Sequence, residues 1–216
     1  MSAISPRTLK GGLVMLDPDT AIPLGAVILQ YNPDSLTRKL QPQSVAEPAD
    51  RSEVLRLKGP PIETINLSAE LDATDQLEFP AQNPLAVQFG IQPQLAALEM
   101  LVYPSSVRII VNEALSLLGT IEAVPMESAL TLFVWSATRV IPVRVTELDI
   151  TEEAFDPNLN PIRAKVNLGM RVLSVTDVNF VSPAGALYMI YQIGKEALAA
   201  ANTLNTIADL GAGALQ

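Results

Sequence analysis

The sequence predicts a mainly β protein: an antiparallel β-sandwich or open barrel, with one internal helix and a long C-terminal helix. Three observations predict this class. Apolar and polar residues alternate with the two-residue period of half-buried strands. Turns rich in proline, asparagine and aspartate separate those runs. Apolar residues at the spacing of a helix occur in one internal stretch and again near the C-terminus.

The most regular alternation lies in the second half of the chain. Ile141, Val143 and Val145 share one strand face, and beyond Thr146 the apolar positions shift by one residue. That shift predicts a β-bulge near residues 146–147. A second strand follows, with its apolar set at Ile162, Ala164, Val166, Leu168 and Met170. The intervening Asp-Pro-Asn-Leu-Asn-Pro segment predicts a hairpin turn. The two long strands, residues 139–155 and 162–175, are expected to offer their edges to a neighbouring subunit.

The first half of the chain predicts a meander and one further long strand. Strands are expected at residues 9–16, 23–31, 35–41 and 62–71. Residues 42–61 are polar and contain prolines, so we expect a long excursion between strands there. Residues 72–83 are expected to form a polar loop, and residues 1–7 a flexible tail.

Two helices are predicted. The internal one covers residues 91–103, with Pro93 in its first turn and Pro104 after its end. Its apolar stripe consists of Leu95, Leu98, Leu101 and Val102. Residues 107–128 are apolar but follow neither period. The C-terminal helix follows Ser182 and Pro183, a favoured start, and covers about residues 184–210.

The C-terminal helix carries two apolar stripes. One consists of Leu187, Tyr191, Gly194, Leu198 and Ala201, and the other of Ile193, Ala197, Ala200, Leu204 and Ile207. Two stripes predict burial on more than one side, against the chain's own domain or against a second subunit. The residues predicted to contact a partner are Tyr191, Leu198, Ala201, Leu204 and Ile207. A membrane span is disfavoured because Lys195 and Glu196 interrupt the apolar run.

Composition excludes several classes of function. The formal net charge of −9 and pI of about 4.5 argue against binding to nucleic acid or anionic lipid, which needs a basic surface. The chain has no cysteine and no histidine, so thiolate chemistry and the commonest general base are missing. The N-terminal residues contain no apolar run typical of a secretory signal, and a cytoplasmic origin is expected.

Few residues suggest chemistry. Asp156 begins a segment like a calcium loop, but Pro161 and Asn167 stand where glycine and glutamate are required, which favours a turn. The carboxylates clustered within ten residues are Glu147, Asp149, Glu152, Glu153 and Asp156. They are more typical of a solvated strand face, cross-linked by the cations of the neighbouring strands, than of a catalytic or metal site. We therefore predict no catalytic residue, cofactor or metal.

Two blocks of sequence resemble one family. The segments are residues 10–14 (Lys-Gly-Gly-Leu-Val), 30–38 (Gln-Tyr-Asn-Pro-Asp-Ser-Leu-Thr-Arg), 133–135 (Phe-Val-Trp), 153–157 (Glu-Ala-Phe-Asp-Pro) and 160–164 (Asn-Pro-Ile-Arg-Ala). Together they resemble the tube-like domain of baseplate proteins from contractile injection systems, which are phage tail-like particles. The resemblance frames a domain at residues 8–178, followed by a helical extension at 182–211.

The resemblance implies a fold of the phage tail-tube type and a structural, non-enzymatic role. It implies a homo-hexameric ring around the spike hub or inner tube, in contact with other baseplate, hub, spike, tube and wedge or sheath proteins, without membrane insertion. Such a protein is made in the cytoplasm and then becomes part of the particle. Family members often carry a C-terminal LysM module, and this chain has the long helix in that place. Alternatives are a tube-initiator or cap-proximal ring protein, a ligand-binding β-barrel, and an enzyme whose metal is held by oxygen ligands.

Overall fold

A computed structural model describes residues 10–18, 20–44, 56–117 and 128–214. The strands are β1 (Gly12–Leu16), β2 (Pro23–Ile28), β3 (Leu36–Ser44), β4 (Leu57–Asp72), β5 (Leu130–Ser136), β6 (Arg139–Phe155) and β7 (Pro161–Val172). The helices are α1 (Thr74–Leu77), α2 (Pro84–Phe89), α3 (Gln92–Glu99), α4 (Ser106–Leu117) and α5 (Pro183–Ala214). The strands form one antiparallel sheet in the order β2-β1-β5-β6-β7-β4-β3. The mainly β class and the C-terminal helix are confirmed, and the sheet is open.

The first half differs from the prediction in its helices. Four helices precede β5 in the described part of the chain, whereas one was predicted. α1 lies in the predicted polar loop, and with α2 it is too short for a helical period to show in sequence. α4 lies in the apolar stretch that followed neither period, and α3 matches the predicted internal helix.

Strands β3 and β4 extend into both ends of the predicted excursion. β3 continues to Ser44, which pairs with Leu57 at the start of β4. The central residues of the excursion, 45–55, and the predicted tail lie outside the described residues. Pro60 and Pro61 are tolerated within β4 because β7 pairs with β4 only from Thr64 onward. On that side no described strand would accept a hydrogen bond from the N–H groups that the prolines lack.

The β6–β7 hairpin matches its prediction closely. Val145 pairs with Met170 and Glu147 with Gly169, so Thr146 is the extra residue of the predicted bulge. At the turn, Asp156 Oδ1 accepts hydrogen bonds from the backbone N–H groups of Asn158 and Asn160, at 2.7 and 2.8 Å. These bonds close the turn with an aspartate side chain.

The sheet is strongly curled. Gln30, two residues beyond β2, exchanges two hydrogen bonds with the backbone of Asp72 at the end of β4, at 2.5 and 2.9 Å. On a flat sheet five strand spacings would separate β2 from β4, or about 24 Å. Two residues and a glutamine side chain cannot span that distance. The curl therefore brings the two ends of the sheet toward each other without closing it.

Side chains fill the concave side of the curl, which we call the core face. Ile65, Phe133 and Met170 are fully buried there. α3 covers this face with Leu95 and Leu98, Leu101 joins them just beyond the end of the helix, and α5 adds Tyr188 and Tyr191. Val102, the fourth residue of the predicted stripe, is 46% exposed, so that part of the prediction is wrong. This cluster buries only the concave side, so the opposite face of the sheet must be described separately.

Candidate functional site

Polar side chains occupy the convex side of one half of the sheet, which we call the polar face. Its exposed members are Thr37, Lys39, Asn66, Ser68, Glu70, Glu147, Asp149, Thr151, Lys165 and Asn167. They come from β3, β4, β7 and the second half of β6. Since all ten stay exposed, no described helix covers this face. The wet face predicted for β4 is confirmed.

Cross-strand rows give the polar face its geometry. Asn66, Gly169 and Glu147 form one row across β4, β7 and β6, and Ser68, Asn167 and Asp149 form the next. A shallow groove of about 320 Å³ runs over these rows. At Gly169 an added Cβ would lie 3.0 Å from the Cβ of Glu147 and 3.3 Å from the Oδ1 of Asn66. The absence of a side chain at Gly169 therefore allows the side chains of Asn66 and Glu147 to approach each other above β7.

Ion pairs stabilise the lower rows of this face. Lys165 Nζ lies 3.1 Å from Glu153 Oε1, which confirms one cross-link predicted for the carboxylate cluster. Arg163 instead pairs with Asp72 on β4 at 2.8 Å. Partial burial raises the pKa of Asp72, but hydrogen bonds from Thr74 and Arg163 outweigh that effect and hold the pKa below its ordinary value.

A basic row marks the upper border of the polar face. Arg144 lies directly opposite Arg171, and Lys39 lies two strands beyond, across Thr64. Arg171 Nη2 is 2.6 Å from Asp177 Oδ1, so this arginine also pairs outside the predicted cluster. Above this row the convex side becomes apolar.

The apolar half of the convex side is partly covered by the first turns of α5. Leu16, Leu130 and Leu132 are buried there against Ala184, and Leu187 packs at the border. On the edge strand β2, Leu24 and Ile28 remain 60% and 66% exposed. The helix thus covers the centre of the apolar half and leaves its edge open.

A polar cluster holds α5 against the other end of the sheet. Arg38 on β3 binds the buried Glu63 on β4, with Arg38 Nη2 2.5 Å from Glu63 Oε1. Arg38 also donates to the hydroxyl of Tyr191 at 3.1 Å. Lys195 Nζ lies 4.3 Å from the centroid of the Tyr191 ring. Burial, and then the charge of Glu63, raise the pKa of Tyr191, while burial lowers the pKa of Lys195.

Only part of the predicted partner interface is available on the surface. Tyr191 is 6% exposed and belongs to the chain's own core. Leu198 is 63% exposed, and Ala201 is exposed as well. The side chains of Leu204 and Ile207 lie outside the described residues. Partner contact through the end of the helix therefore stays a prediction, with Leu198 as its best-placed residue.

Sequence reasoning missed the Arg38–Glu63 pair, although one signal was present. Glu63 shares the strand phase of Ile65, Leu67 and Leu71, which all face the core. A carboxylate at a core-facing position predicts a buried cationic partner. The sequence gives no direct indication that the partner lies on β3.

The other chemical candidates are structural in the fold. Asp156 uses its carboxylate to close the hairpin turn, and hydrogen bonds from Asn160 and then Asn158 lower its pKa. Phe133 is fully buried and stacks on Trp135 with ring centroids 5.7 Å apart. Among residues 10–18, 20–44, 56–117 and 128–214, no three acidic side chains are grouped so that they could hold a metal ion.

The unpaired strand edges differ from those expected. The two long strands at residues 139–155 and 162–175 were predicted to offer their edges to a neighbour. β7 instead pairs along its length with β4 and β6. β6 pairs with β5 only at residues 139–143, so residues 144–155 have no described strand on that side. Among the described strands, the unpaired edges are therefore β2, β3 and this free half of β6.

No protein-family model and no curated protein matches the chain. In the described part of the chain, no helix has the length and apolar character needed to cross a membrane.

Proposed function

We propose that the chain is a structural, non-enzymatic subunit of the baseplate of a contractile injection system, forming a ring around the spike hub or inner tube. The observation that carries this proposal is the open, curled antiparallel sheet with an uncovered polar face. It agrees with the tail-tube type of fold that the sequence resemblance implies.

The physical argument concerns the edges of the sheet. An unpaired strand edge invites association with another chain, and joining the sheets of several copies edge to edge in a closed ring pairs such edges. In that ring the convex polar face would be available to water or to a partner, and the filled core face would not. The resemblance implies six copies.

A ligand-binding barrel is the less favoured alternative. Such a protein needs an apolar cavity inside the curl, whereas Ile65, Phe133 and Met170 fill that space with no exposed surface. A tube-initiator or cap-proximal ring protein would use the same ring geometry, so it remains an alternative position within the same particle.

The test is to purify the particle from producing cells through an affinity tag on this chain. Electron microscopy is expected to show the chain repeated in a closed ring, and mass spectrometry to identify sheath, tube and spike proteins in the same particle. A single copy per particle, or a chain that purifies as a free monomer while assembled particles lack it, would contradict the proposal. Glu147→Gln and Asp149→Asn should leave the stability of the isolated chain unchanged.

A further inference from the structure

The free half of β6, residues 144–155, is less buried than a strand that has neighbours on both sides. Its core-face residues Val145, Leu148 and Ile150 are only partly buried. Their cross-strand partners on β7, namely Met170, Leu168 and Val166, are at most 3% exposed. The difference arises because β7 has strands on both sides, whereas the free half of β6 has a described neighbour on one side only.

Edge strand β3, on the opposite border of the polar face, is also incompletely buried. It pairs with β4 alone among the described strands. On its core face Leu36 is partly buried and Leu40 is 48% exposed. An additional strand beside β3 would cover both leucines.

The two edges have complementary charge. The free half of β6 carries Glu147, Asp149, Glu152 and Glu153 and one cation, Arg144, whereas β3 contains Arg38 and Lys39 and no acidic residue. Arg38 is already paired with Glu63 in its own chain, so Lys39 is the cation that β3 offers to a neighbour. Lys39 lies on the polar face, as do Glu147 and Asp149. Cross-strand pairs of opposite charge stabilise a sheet, and like charges directly opposite destabilise it.

Strand direction also fits. β3 runs opposite to β4, β4 opposite to β7, and β7 opposite to β6. A second copy in the same orientation would therefore place its β3 antiparallel to the free half of β6, with polar faces and core faces continuous. The contact joins two different surfaces, so it repeats from copy to copy and can close into a ring.

We propose that the free half of β6 receives strand β3 of a second copy, as an antiparallel junction with Lys39 of one copy beside the Glu147–Asp149 carboxylates of the next. This inference rests on the ring proposed above and specifies how its subunits join. Within one chain β4 and β7 separate β3 from β6, so the two surfaces cannot pair with each other.

Disulfide cross-linking tests the junction, because the chain has no cysteine of its own. Asp149→Cys is combined in turn with Thr37→Cys, Lys39→Cys or Gln41→Cys, which cover neighbouring registers on the polar face. In assembled particles, oxidation of at least one combination should give a ladder of multimers on a denaturing, non-reducing gel. Within one chain three strand spacings, or about 14 Å, separate the two strands, and the offset along them adds to this, so every pair is beyond the reach of a disulfide.

Matched controls separate this contact from chance oxidation. Each single-cysteine variant should give at most dimers. Lys39→Cys with Asn167→Cys moves the second thiol one strand inward on the same face, and no ladder is expected. A lysine-reactive cross-linker applied to the wild-type particle reports the ring itself. If it yields multimers while all three Asp149→Cys combinations stay monomeric, the junction is wrong and the ring stands; if it yields only monomers, the proposed function fails.

Discussion

Removing the carboxylate of Glu63 should destabilise the fold by about 2–3 kcal/mol. Glu63 is 4% exposed and its partner Arg38 is 26% exposed. Breaking a fully buried ion pair by deleting one partner costs about 3–5 kcal/mol, because the other charge is left without compensation. The partial exposure of Arg38 allows water to reach its guanidinium, and this lowers the expected cost. For a chain of this size the loss corresponds to a fall in Tm of about 4–12 °C.

The assay is urea and thermal unfolding of Glu63→Ala, followed by circular dichroism. The matched control is Glu70→Ala, which removes the same group from the opposite, exposed face of β4 and should stay within about 0.5 kcal/mol of wild type. The double variant Arg38→Met with Glu63→Met should recover most of the stability, since an apolar pair leaves no buried charge. Equal stabilities for Glu63→Ala and Glu70→Ala would refute the reasoning.

Three further outcomes are expected. Gly90→Ala should lower the free energy of unfolding by more than about 1 kcal/mol, since Gly90 has φ +59° and an added Cβ would lie 2.1 Å from the carbonyl oxygen of Pro161; an unchanged urea midpoint would contradict this. Because the pKa of Asp72 is lowered, its ionised carboxylate contributes fully to the free energy of unfolding above the ordinary aspartate pKa of about 3.9, and this contribution is lost as the pH falls through the lowered pKa. Asp72→Asn should therefore lose less stability on acidification than the wild type, as measured by urea titrations at each pH. Leu198→Asp should leave the Tm unchanged because the side chain is 63% exposed, yet it should reduce incorporation into particles relative to Leu198→Ala; normal incorporation of both variants would exclude a partner contact at this residue.

Local patterns predicted the β6–β7 hairpin well. The shift of apolar phase after Val145 gave the bulge, and Asp156 with its following asparagines gave the turn. Both features are set by residues close in sequence, where strand period and turn chemistry act directly. The burial of Leu95, Leu98 and Leu101 was predictable for the same reason, because their helical spacing places them on one side.

Long-range pairing could not be predicted in this way. The strand order places β1 beside β5 and β4 beside β7, and no local pattern distinguishes these neighbours from others. For this reason the long strands were expected to be edges, whereas β7 lies in the middle of the sheet. In the candidate site, the polar residues of β4 were predicted, but their alignment with Asn167 and Glu147 depends on that order. The same limit applies to Arg38, whose partner Glu63 is 25 positions away.

The strand order also has a consequence for how the chain folds during synthesis. β1 with β2 and β3 with β4 can form from neighbouring residues, but β1 and β4 each complete their pairing on the central β5-β6-β7 meander. The ribosome synthesises that meander after the other strands. Until it emerges, the β1–β2 and β3–β4 hairpins each have an unpaired edge, on β1 and on β4. Contacts that join distant parts of a sequence slow folding, and exposed edges during that delay favour aggregation. Truncation before β7 should therefore yield an insoluble chain rather than a smaller folded sheet, and production in cells should depend on chaperones that bind the nascent N-terminal half.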